Sequence, residues 1–351
     1  ALKKVVECRH RLLSEWRELL KERRQALYPT LVRSADVVGA TCIGIATNPY
    51  FRDLEFNTVI ADEAGQIQVC DLLVPLVRAR RAVLVGDHKQ LGPYVDEDVR
   101  ALLEAESEES VALLEQSLFE RLFDVAPQTH KAILDTQYRM PASIADFVSQ
   151  VVYEGKYQSA PDCQTESVDP FFSRAICFID TEHRKRYRDK QGKGDETGYM
   201  NPEEAKVLAQ LAAAYMDRGY EVGVIVPYVL QVRETRQALR ALRPDLDGQA
   251  LRDIVATVDS FQGKQRDTIL FGFTRSNKWG GIGFLRDLRR LNVTITRAQR
   301  QLVLVGDRFT LTRAADLLFR EFATNLLAYV KRKGQYVKVN RLGETLSGKI
   351  R

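Results

Sequence analysis

The sequence contains no apolar run close to the ~20 residues that a membrane-spanning helix needs, and it does not open with a charged segment followed by an apolar one. We therefore expect neither a membrane-spanning nor a secreted protein, and no membrane partner. Cysteine is scarce, with five residues in 351. The number is odd, and no two of them form a Cys-x-x-Cys pair. This pattern disfavours a zinc site and favours unpaired thiols in a reducing compartment, either the cytoplasm or the nucleus of a eukaryote.

The sequence also lacks a strong excess of charge of either sign. The 52 basic and 47 acidic residues give a net charge of +5, which by itself does not indicate a nucleic-acid partner. Basic residues cluster at 9–24, 78–81 and 183–193, whereas 96–109 is acidic. Such segregation is compatible with a path for a polyanion, although on charge alone solvated helix faces and loops are the favoured explanation.

Short apolar runs alternate with helical patterns along most of the 351 residues. The candidate strands are 36–42, 58–62, 81–87, 132–134, 175–179, 221–226, 254–257, 268–273 and 301–306. The candidate helices are 1–28, 66–77, 142–153, 202–217, 229–242 and 312–331. This alternation predicts an α/β fold with parallel sheets covered on both faces, and the length predicts two domains. The polar stretch 181–200 is predicted to be a mobile surface loop, and so is the acidic stretch 96–110.

Polar residues follow two of the candidate strands, where ligands of open parallel sheets bind. The run ending at Ala61 is followed by Asp62-Glu63-Ala64-Gly65-Gln66, and the next run by Gly86-Asp87-His88-Lys89-Gln90-Leu91-Gly92-Pro93. An aspartate at a strand end suits Mg²⁺, and an adjacent glutamate suits activation of a water molecule. A helix N-cap is the simpler interpretation of the acidic pair alone.

With these residues the sequence resembles superfamily 1 helicases of the branch that contains the nonsense-mediated-decay helicase and senataxin. Five blocks occur in the family's order: Asp62–Gln66 resembles motif II, Gly86–Pro93 motif III, Gln137-Tyr138-Arg139-Met140 the motif IV block, Val258-Asp259-Ser260-Phe261-Gln262-Gly263 motif V, and Asn292-Val293-Thr294-Ile295-Thr296-Arg297-Ala298 motif VI. Ordered blocks over this much of the chain are far more specific than a single pattern match.

The resemblance implies an ATP site with Mg²⁺ on Asp62 and a catalytic role for Glu63. It implies that Gln66 and Gln90 touch the γ-phosphate or the attacking water. Two arginines, Arg139 and Arg297, match the family's arginines that act on the phosphates from the second domain, across the cleft from the metal. The alternative for these arginines is a structural salt bridge. By the same resemblance, Tyr138 stacks on adenine, and Gly263 and Gln265 belong to the nucleotide site.

The resemblance also implies a path for single-stranded nucleic acid, DNA or RNA. The matching residues are Thr41, Cys42, Pro227, Tyr228, Gln231, Thr257 and Ser260. Hydroxyl side chains suit phosphate contacts, and Pro227 with Tyr228 would add a stacking surface. For each hydroxyl residue taken singly, helix capping is an equally good interpretation.

The sequence departs from the family in two ways. No Gly-x-x-x-x-Gly-Lys-Ser/Thr phosphate-binding loop precedes Asp62, and the string that begins at Gly343 ends in Ile350 and follows no buried strand. In motif V, Gln265 replaces the family's usual acid, which puts that nucleotide contact in doubt. The family places its phosphate loop upstream, so we expect a longer protein whose missing N-terminal region carries the loop.

The implied architecture is α/β, with tandem RecA-like domains, the first one incomplete. Residues 1–34 would form a helical stalk, 35–126 the rest of domain 1, 127–335 domain 2 and 336–351 a basic tail. The implied function is the C-terminal core of an ATP-dependent 5′-to-3′ helicase or translocase, in which ATP hydrolysis is coupled to domain closure and the fragment alone is inactive. The alternative is a non-catalytic nucleic-acid-binding or scaffolding module that lost its phosphate loop, while a nuclease is disfavoured because the acids cluster in one ATPase-type site.

Overall fold

The computed structural model describes residues 2–96, 99, 102, 107, 114–163, 171–192 and 198–347. The chain divides into two compact units. The first comprises 1–88 and 92–130, and the second comprises 89–91 and 131–351. Most of the acidic stretch 96–110 lies outside the described residues, and so do 348–351.

The first unit begins with a long helix and contains a two-stranded parallel sheet. Its elements are α1 (Leu2–Ser34), α2 (Cys42–Thr47), β1 (Phe56–Ala61), α3 (Val69–Leu76), β2 (Ala79–Leu84) and α4 (Leu118–Val125), with short 3-10 helices at Pro49–Phe51, Ala64–Gln66 and Gln128–His130. A small core of Ala61, Ala64 and Leu72 lies where β1 meets α3. On the strands themselves, Ile60 and Val83 are 69% and 49% exposed.

The second unit is built around a six-stranded parallel sheet of order β12-β5-β11-β10-β8-β9. The strands of this unit are β3 (Thr136–Gln137), β4 (Gln158–Ser159), β5 (Ile176–Asp180), β6 (Lys190–Gln191), β7 (Tyr199–Met200), β8 (Val222–Val226), β9 (Val255–Thr257), β10 (Arg266–Gly272), β11 (Ala298–Gly306) and β12 (Gln335–Lys338). Its helices are α5 (Ala142–Val152), α6 (Pro202–Met216), α7 (Val229–Leu242), α8 (Gly248–Ile254), α9 (Val258–Phe261), α10 (Leu288–Ile295), α11 (Arg308–Leu311), α12 (Leu317–Lys333) and α13 (Leu342–Leu346). Three-residue or four-residue 3-10 helices lie at Pro161–Cys163, Lys185–Tyr187, Gly283–Arg286 and Val339–Arg341.

Alternate residues of the central strands enter two separate cores, one on each face of the sheet. In β5, Ile176 and Phe178 pack with α5 and α12, whereas Cys177 and Ile179 pack with α6 and α7. A strand buried on both faces needs apolar residues at every position, which explains why these strands appear in the sequence as continuous apolar runs. The parallel α/β sheet confirms the predicted fold class, which is consistent with RecA-like domains.

Besides shifts at the ends of elements, three predicted elements differ in the structure. Residues 36–41 form no strand, since they lead irregularly into α2, whose N-cap is Thr41. The predicted strand 132–134 is wrong, because Ile133 and Leu134 are exposed and the pairing begins at Thr136. The stretch 181–200 is more ordered than predicted, because β6 pairs with β7 and the polar side chains before β6 hydrogen-bond to the end of the main sheet, with 193–197 outside the described residues.

None of the helices in the described ranges combines the length and apolar character that crossing a bilayer requires. Near the C-terminal end of the chain, Gln335–Lys338 form the edge strand β12, which pairs with β5. The predicted domain limits, including the start of a basic tail at 336, stay predictions.

Candidate ATP and nucleic-acid sites

In the first unit, the acidic pair predicted for metal and water chemistry lies in a tight turn directly after β1. Asp62 and Glu63 are exposed, and Glu63 has a left-handed backbone with φ of 53°. An Asp62 carboxylate oxygen, Oδ1, accepts a hydrogen bond from the Glu63 amide at 3.0 Å. Gln66 donates through Nε2 to Glu63 Oε2 at 2.8 Å, so three predicted site residues lie together.

The end of β2 holds this turn in place. The Ala64 amide donates to the Val85 carbonyl at 2.8 Å. A Cβ on Gly86 would lie 2.8 Å from the Gly65 amide nitrogen, and one on Gly65 would lie 3.3 Å from the Asp87 carbonyl oxygen. The two turns approach backbone to backbone, so a side chain at Gly86 would force them apart, and one at Gly65 would require a smaller shift.

The donor set around Asp62 fits a magnesium ion. Mg²⁺ prefers hard oxygen ligands and is commonly held by one or two carboxylates, with water and substrate phosphates completing its octahedron. Asp62 supplies one such carboxylate at the end of a strand, and no group of three or more potential metal-ligating side chains occurs among the residues that the structure describes. The site thus suits a metal that arrives with a nucleotide better than a fixed protein cage.

A cavity of about 900 Å³ in the first unit is lined by Thr41, Cys42, Asp62 and Gln66, together with apolar residues of β1. Thr41 Oγ1 accepts a hydrogen bond from the Gly44 amide at 3.0 Å and so caps α2. Burial raises the pKa of the Cys42 thiol. The capping role of Thr41 is therefore observed, and contact of Thr41 and Cys42 with a nucleic-acid strand stays a prediction.

In the second unit, residues of three predicted motifs meet at the start of β11. Arg297 is 5% exposed, and its Nη2 donates to Gln90 Oε1 at 3.0 Å. Arg139 donates through Nη1 to the Thr296 carbonyl at 3.1 Å. Gln90 and Arg297 lie 207 positions apart in the sequence, with Arg139 between them. The fold nevertheless brings them to one place.

The conformation of the motif IV block is fixed by its own first residue. Gln137 Oε1 accepts hydrogen bonds from the amides of Arg139 and Met140 at 2.9 and 2.8 Å. This turn leaves the Tyr138 side chain 77% exposed, so that it is accessible to a planar ligand. Gly263 and Gln265 are also exposed, and Gly263 has a φ of 75°. The assignment of these three residues to a nucleotide stays a prediction.

The second-domain residues predicted to contact a strand differ in accessibility. Tyr228 is 3% exposed and Gln231 is fully buried, with Gln231 Oε1 accepting from the Asn201 amide at 2.6 Å. Thr257 caps α9 through the Ser260 amide, although Ser260 itself is exposed. Pro227 is half-buried. All of these residues lie at or just after the carboxyl ends of the neighbouring strands β8 and β9.

A buried polar network at the carboxyl ends of β5, β10 and β11 was not predicted from the sequence. Asp307 is 1% exposed, and its Oδ2 contacts His183 Nδ1 at 2.6 Å and Ser276 Oγ at 2.8 Å. Arg188 Nη2 lies 2.9 Å from His183 Nε2. Because a guanidinium only donates, Nε2 accepts and Nδ1 carries the hydrogen donated to Asp307.

The same network holds a second carboxylate. Asp189 Oδ2 accepts hydrogen bonds from Arg275 Nε at 2.7 Å and Asn277 Nδ2 at 3.0 Å. Arg275 in turn lies over the ring of Tyr199, with 3.5 Å between the guanidinium carbon and the ring centroid. The rule that led to Asp62, polar residues directly after a buried strand, applies equally to Thr274–Asn277 after β10 and to Asp307 after β11, and it would have found this network.

Comparison with known proteins places this chain in a family. Two family models, both described as AAA domain, match residues 4–98 and 114–309, and the second alone covers more than half of the chain. The DNA-binding protein SMUBP-2 of Rattus norvegicus is 32% identical over 86% of this chain, and the ATP-dependent helicase NAM7 of Saccharomyces cerevisiae is 33% identical over 88%. An uncharacterized ATP-dependent helicase of Methanocaldococcus jannaschii is 32% identical over 82%.

The chain spans 30% of the length of the first two relatives and 41% of the third. The matches cover both units and all five predicted motif blocks. The chain therefore belongs to the AAA domain family and, within it, to the superfamily 1 helicases related to the nonsense-mediated-decay helicase.

Proposed function

We propose that this chain is the C-terminal core of an ATP-dependent helicase or translocase that moves 5′ to 3′ on single-stranded nucleic acid. The observation that carries this proposal is the convergence of Gln90, Arg139 and Arg297 at the start of β11. A module that only binds nucleic acid has no use for two arginines and a glutamine gathered at one point. Phosphoryl transfer, in contrast, depends on such positioned cations.

Each residue of the proposed ATP site has one role. Asp62 holds Mg²⁺, which neutralises charge on the phosphates when it is bound with the nucleotide. Glu63 orients and deprotonates the attacking water. The hydrogen bond that Gln66 donates to Glu63 keeps this carboxylate in place. Arg139 and Arg297 stabilise the charge that develops on the transferred phosphoryl group, and Tyr138 stacks on adenine.

The proposal also includes a longer protein and a cellular compartment in which it works. The phosphate-binding loop that the 351 residues lack would be supplied by an upstream region, in keeping with the fraction of its relatives that the chain spans. ATP binding and hydrolysis would be coupled to closure and opening of the two RecA-like domains. Since no disulfide joins any of the five cysteines, all of which the structure describes, a reducing compartment such as the cytoplasm suits the chain.

The alternative, a scaffold that binds strands without hydrolysis, is favoured by one observation, the missing phosphate loop. Unwinding by the longer gene product separates the two functions. We expect it to unwind duplexes with a 5′ single-stranded tail and to leave those with a 3′ tail intact. Binding of both substrates without ATP-dependent unwinding of either would identify a scaffold, and unwinding from the 3′ tail alone would overturn the proposed direction.

Binding of single strands by the 351-residue chain tests the nucleic-acid partner separately. Phosphate contacts release counterions, so the affinity should fall steeply with salt, by roughly 10- to 1,000-fold between 50 and 200 mM depending on the number of contacts. DNA and RNA oligonucleotides of matched sequence are compared because backbone contacts from Thr and Ser do not report the 2′-hydroxyl. Absence of binding to either strand at low salt would contradict the proposal.

A further inference from the structure

We propose that Trp279 is a stacking platform for a base of the bound single strand. This inference rests on the proposed function and adds a residue that none of the motif blocks contains. It concerns the segment 276–282 that follows β10, called here the Trp279 loop.

Trp279 is 84% exposed, whereas most of the large aromatic side chains in the second unit are buried. The residue lies between Lys278, also exposed, and two glycines. A tryptophan in water carries a large unsatisfied apolar surface, and tryptophan is among the residues that contribute most when a partner covers them. Its flat ring also offers a π-face, which every nucleobase can stack on regardless of sequence.

The Trp279 loop is rigidly built. Asn277 Oδ1 accepts hydrogen bonds from the amides of Trp279 at 3.2 Å and Gly281 at 2.9 Å, and Asn277 Nδ2 donates to the Gly281 carbonyl at 2.8 Å. The Gly280 carbonyl accepts from the Ala315 amide at 3.2 Å. Gly280 has a φ of 67°, and a Cβ there would collide with the Arg313 carbonyl oxygen. A backbone that is already ordered loses little conformational entropy when a ligand binds to the side chain it carries.

The loop lies beside the block that the sequence assigns to the strand. On one flank, Arg275 Nη1 lies 3.5 Å from the Tyr228 hydroxyl. On the other, that hydroxyl donates to the Ile282 carbonyl at 3.2 Å, and the ring of Phe284 lies 5.5 Å from that of Tyr228. Tyr228 is thus covered from both ends of the Trp279 loop. Of the neighbouring rings, Phe284 is 45% exposed and Trp279 is 84% exposed, so Trp279 offers the more accessible face.

Charge around the loop favours a polyanion over an apolar protein surface. Lys278 is exposed directly before the tryptophan, and Arg313, whose carbonyl touches Gly280, is exposed as well. The guanidinium of Arg313 lies over the ring of Phe309 at 4.0 Å. Cations that flank an aromatic ring are the usual arrangement of single-strand sites, where the backbone is attracted and the bases stack.

The chain offers a matched pair of tryptophans for the test, since its second tryptophan, Trp16, is 66% exposed on α1. In Trp16→Phe, Trp279 is the sole tryptophan, and its fluorescence should be quenched when a single-stranded oligothymidylate is added. In Trp279→Phe, only Trp16 emits, and the same titration should leave its fluorescence unchanged. The reverse pattern would overturn the proposal.

Affinity measured by fluorescence anisotropy of a labelled oligothymidylate gives the second readout. We expect Trp279→Ala to weaken binding by about tenfold, the effect of losing one stacked base. Trp279→Phe should keep most of the affinity, and Trp279→Leu, which is apolar but has no π-face, should behave like alanine. Trp16→Ala should bind as the natural chain does. Because Trp279 is exposed, circular dichroism should show these variants folded.

The outcomes separate this inference from the proposed function. If the natural chain binds no strand at low salt, the proposed function fails. If the natural chain binds but Trp279→Ala binds equally well and Trp16→Phe shows no quenching, strand binding stands and stacking by Trp279 is wrong. If Trp279→Leu binds as tightly as the natural chain, the residue makes an apolar contact of the kind a protein partner would use, which also contradicts stacking.

Discussion

Arg297 of motif VI donates a hydrogen bond to the side-chain oxygen of Gln90 of motif III, with 3.0 Å between Nη2 and Oε1. Arg297 Nε also donates to the Val293 carbonyl at 3.2 Å, one turn earlier in α10. The guanidinium is therefore oriented by a backbone acceptor and a side-chain acceptor. A glutamine that touches both this arginine and a bound γ-phosphate would report the state of the nucleotide to motif VI.

Replacing either arginine should reduce ATP hydrolysis by the longer gene product far more than it weakens strand binding. An arginine that stabilises the transferred phosphoryl group contributes roughly 10³- to 10⁵-fold to kcat. We expect losses of that order for Arg297→Lys, which keeps the charge but not the paired donors. Because Arg297 is buried, the exposed Arg139 provides the second variant, Arg139→Ala. Arg300→Ala, which replaces an exposed arginine on β11 three residues after Arg297, is the control that should retain activity. Normal kcat in both test variants would remove the arginines from catalysis.

Gly86→Ala should destabilise the turn that carries Asp62 and Glu63. The new Cβ would lie 2.8 Å from the Gly65 amide nitrogen, so the two turns must separate. Overpacking of this kind costs about 1–3 kcal/mol. Hydrogen exchange of β1 and β2 peptides measures the effect, which should appear as faster exchange. Gly39→Ala is the matched control, because its Cβ would meet no atom within 4 Å. Equal exchange in the two variants would show that the close approach does not stabilise the turn.

Glu204 should make the second unit less stable as the pH rises. The carboxyl group is buried, burial raises its pKa well above the ordinary value of 4.5, and its Oε1 accepts from the Thr274 amide at 2.7 Å. The folded state therefore holds this proton at pH values where the unfolded state has lost it. By linkage, the free energy of unfolding falls as the pH rises above 4.5 toward the folded-state pKa.

Glu204→Gln tests this pH dependence, since the amide keeps the acceptor without the titrating proton. Denaturant unfolding at a series of pH values should show a flatter profile for Glu204→Gln and higher stability at alkaline pH than the natural chain has. Glu203→Gln is the control, because Glu203 is partly exposed and pairs with Lys206 at 2.5 Å. Parallel pH profiles for the natural chain and Glu204→Gln would contradict the assignment.

The sequence predicts the central strands well because burial on both faces demands uninterrupted apolar residues, as in β5, β8, β10 and β11. It misses β12, whose Gln335–Lys338 has one buried apolar residue, Val337, and pairs along a single edge. The predicted strand at 36–42 has the right composition, but Thr41 caps a helix in its place. An apolar composition therefore predicts a strand correctly only where a neighbouring strand is available to pair with it.

The candidate site is predictable where its residues adjoin a strand, as Asp62 and Glu63 do. The same rule marks Asp307 after β11, but its pairing with His183, 124 positions away, leaves no periodic trace in the sequence. The burial of Tyr228 is hidden for the same reason, since the residues that cover it come from 275–284. Long-range hydrogen bonds between polar side chains are specified by the fold and become visible only in it.

The central claim is that Asp62 and Glu63 belong to an ATP-hydrolysing site that is coupled to a single strand. The most direct test is ATP hydrolysis by the longer gene product, with and without single-stranded nucleic acid, compared with its Glu63→Gln variant. We expect strand-stimulated hydrolysis in the natural protein and a loss of at least about 100-fold in the variant, with nucleotide binding retained. Near-normal hydrolysis by Glu63→Gln, or natural protein that hydrolyses no ATP in the presence of a bound strand, would contradict the claim.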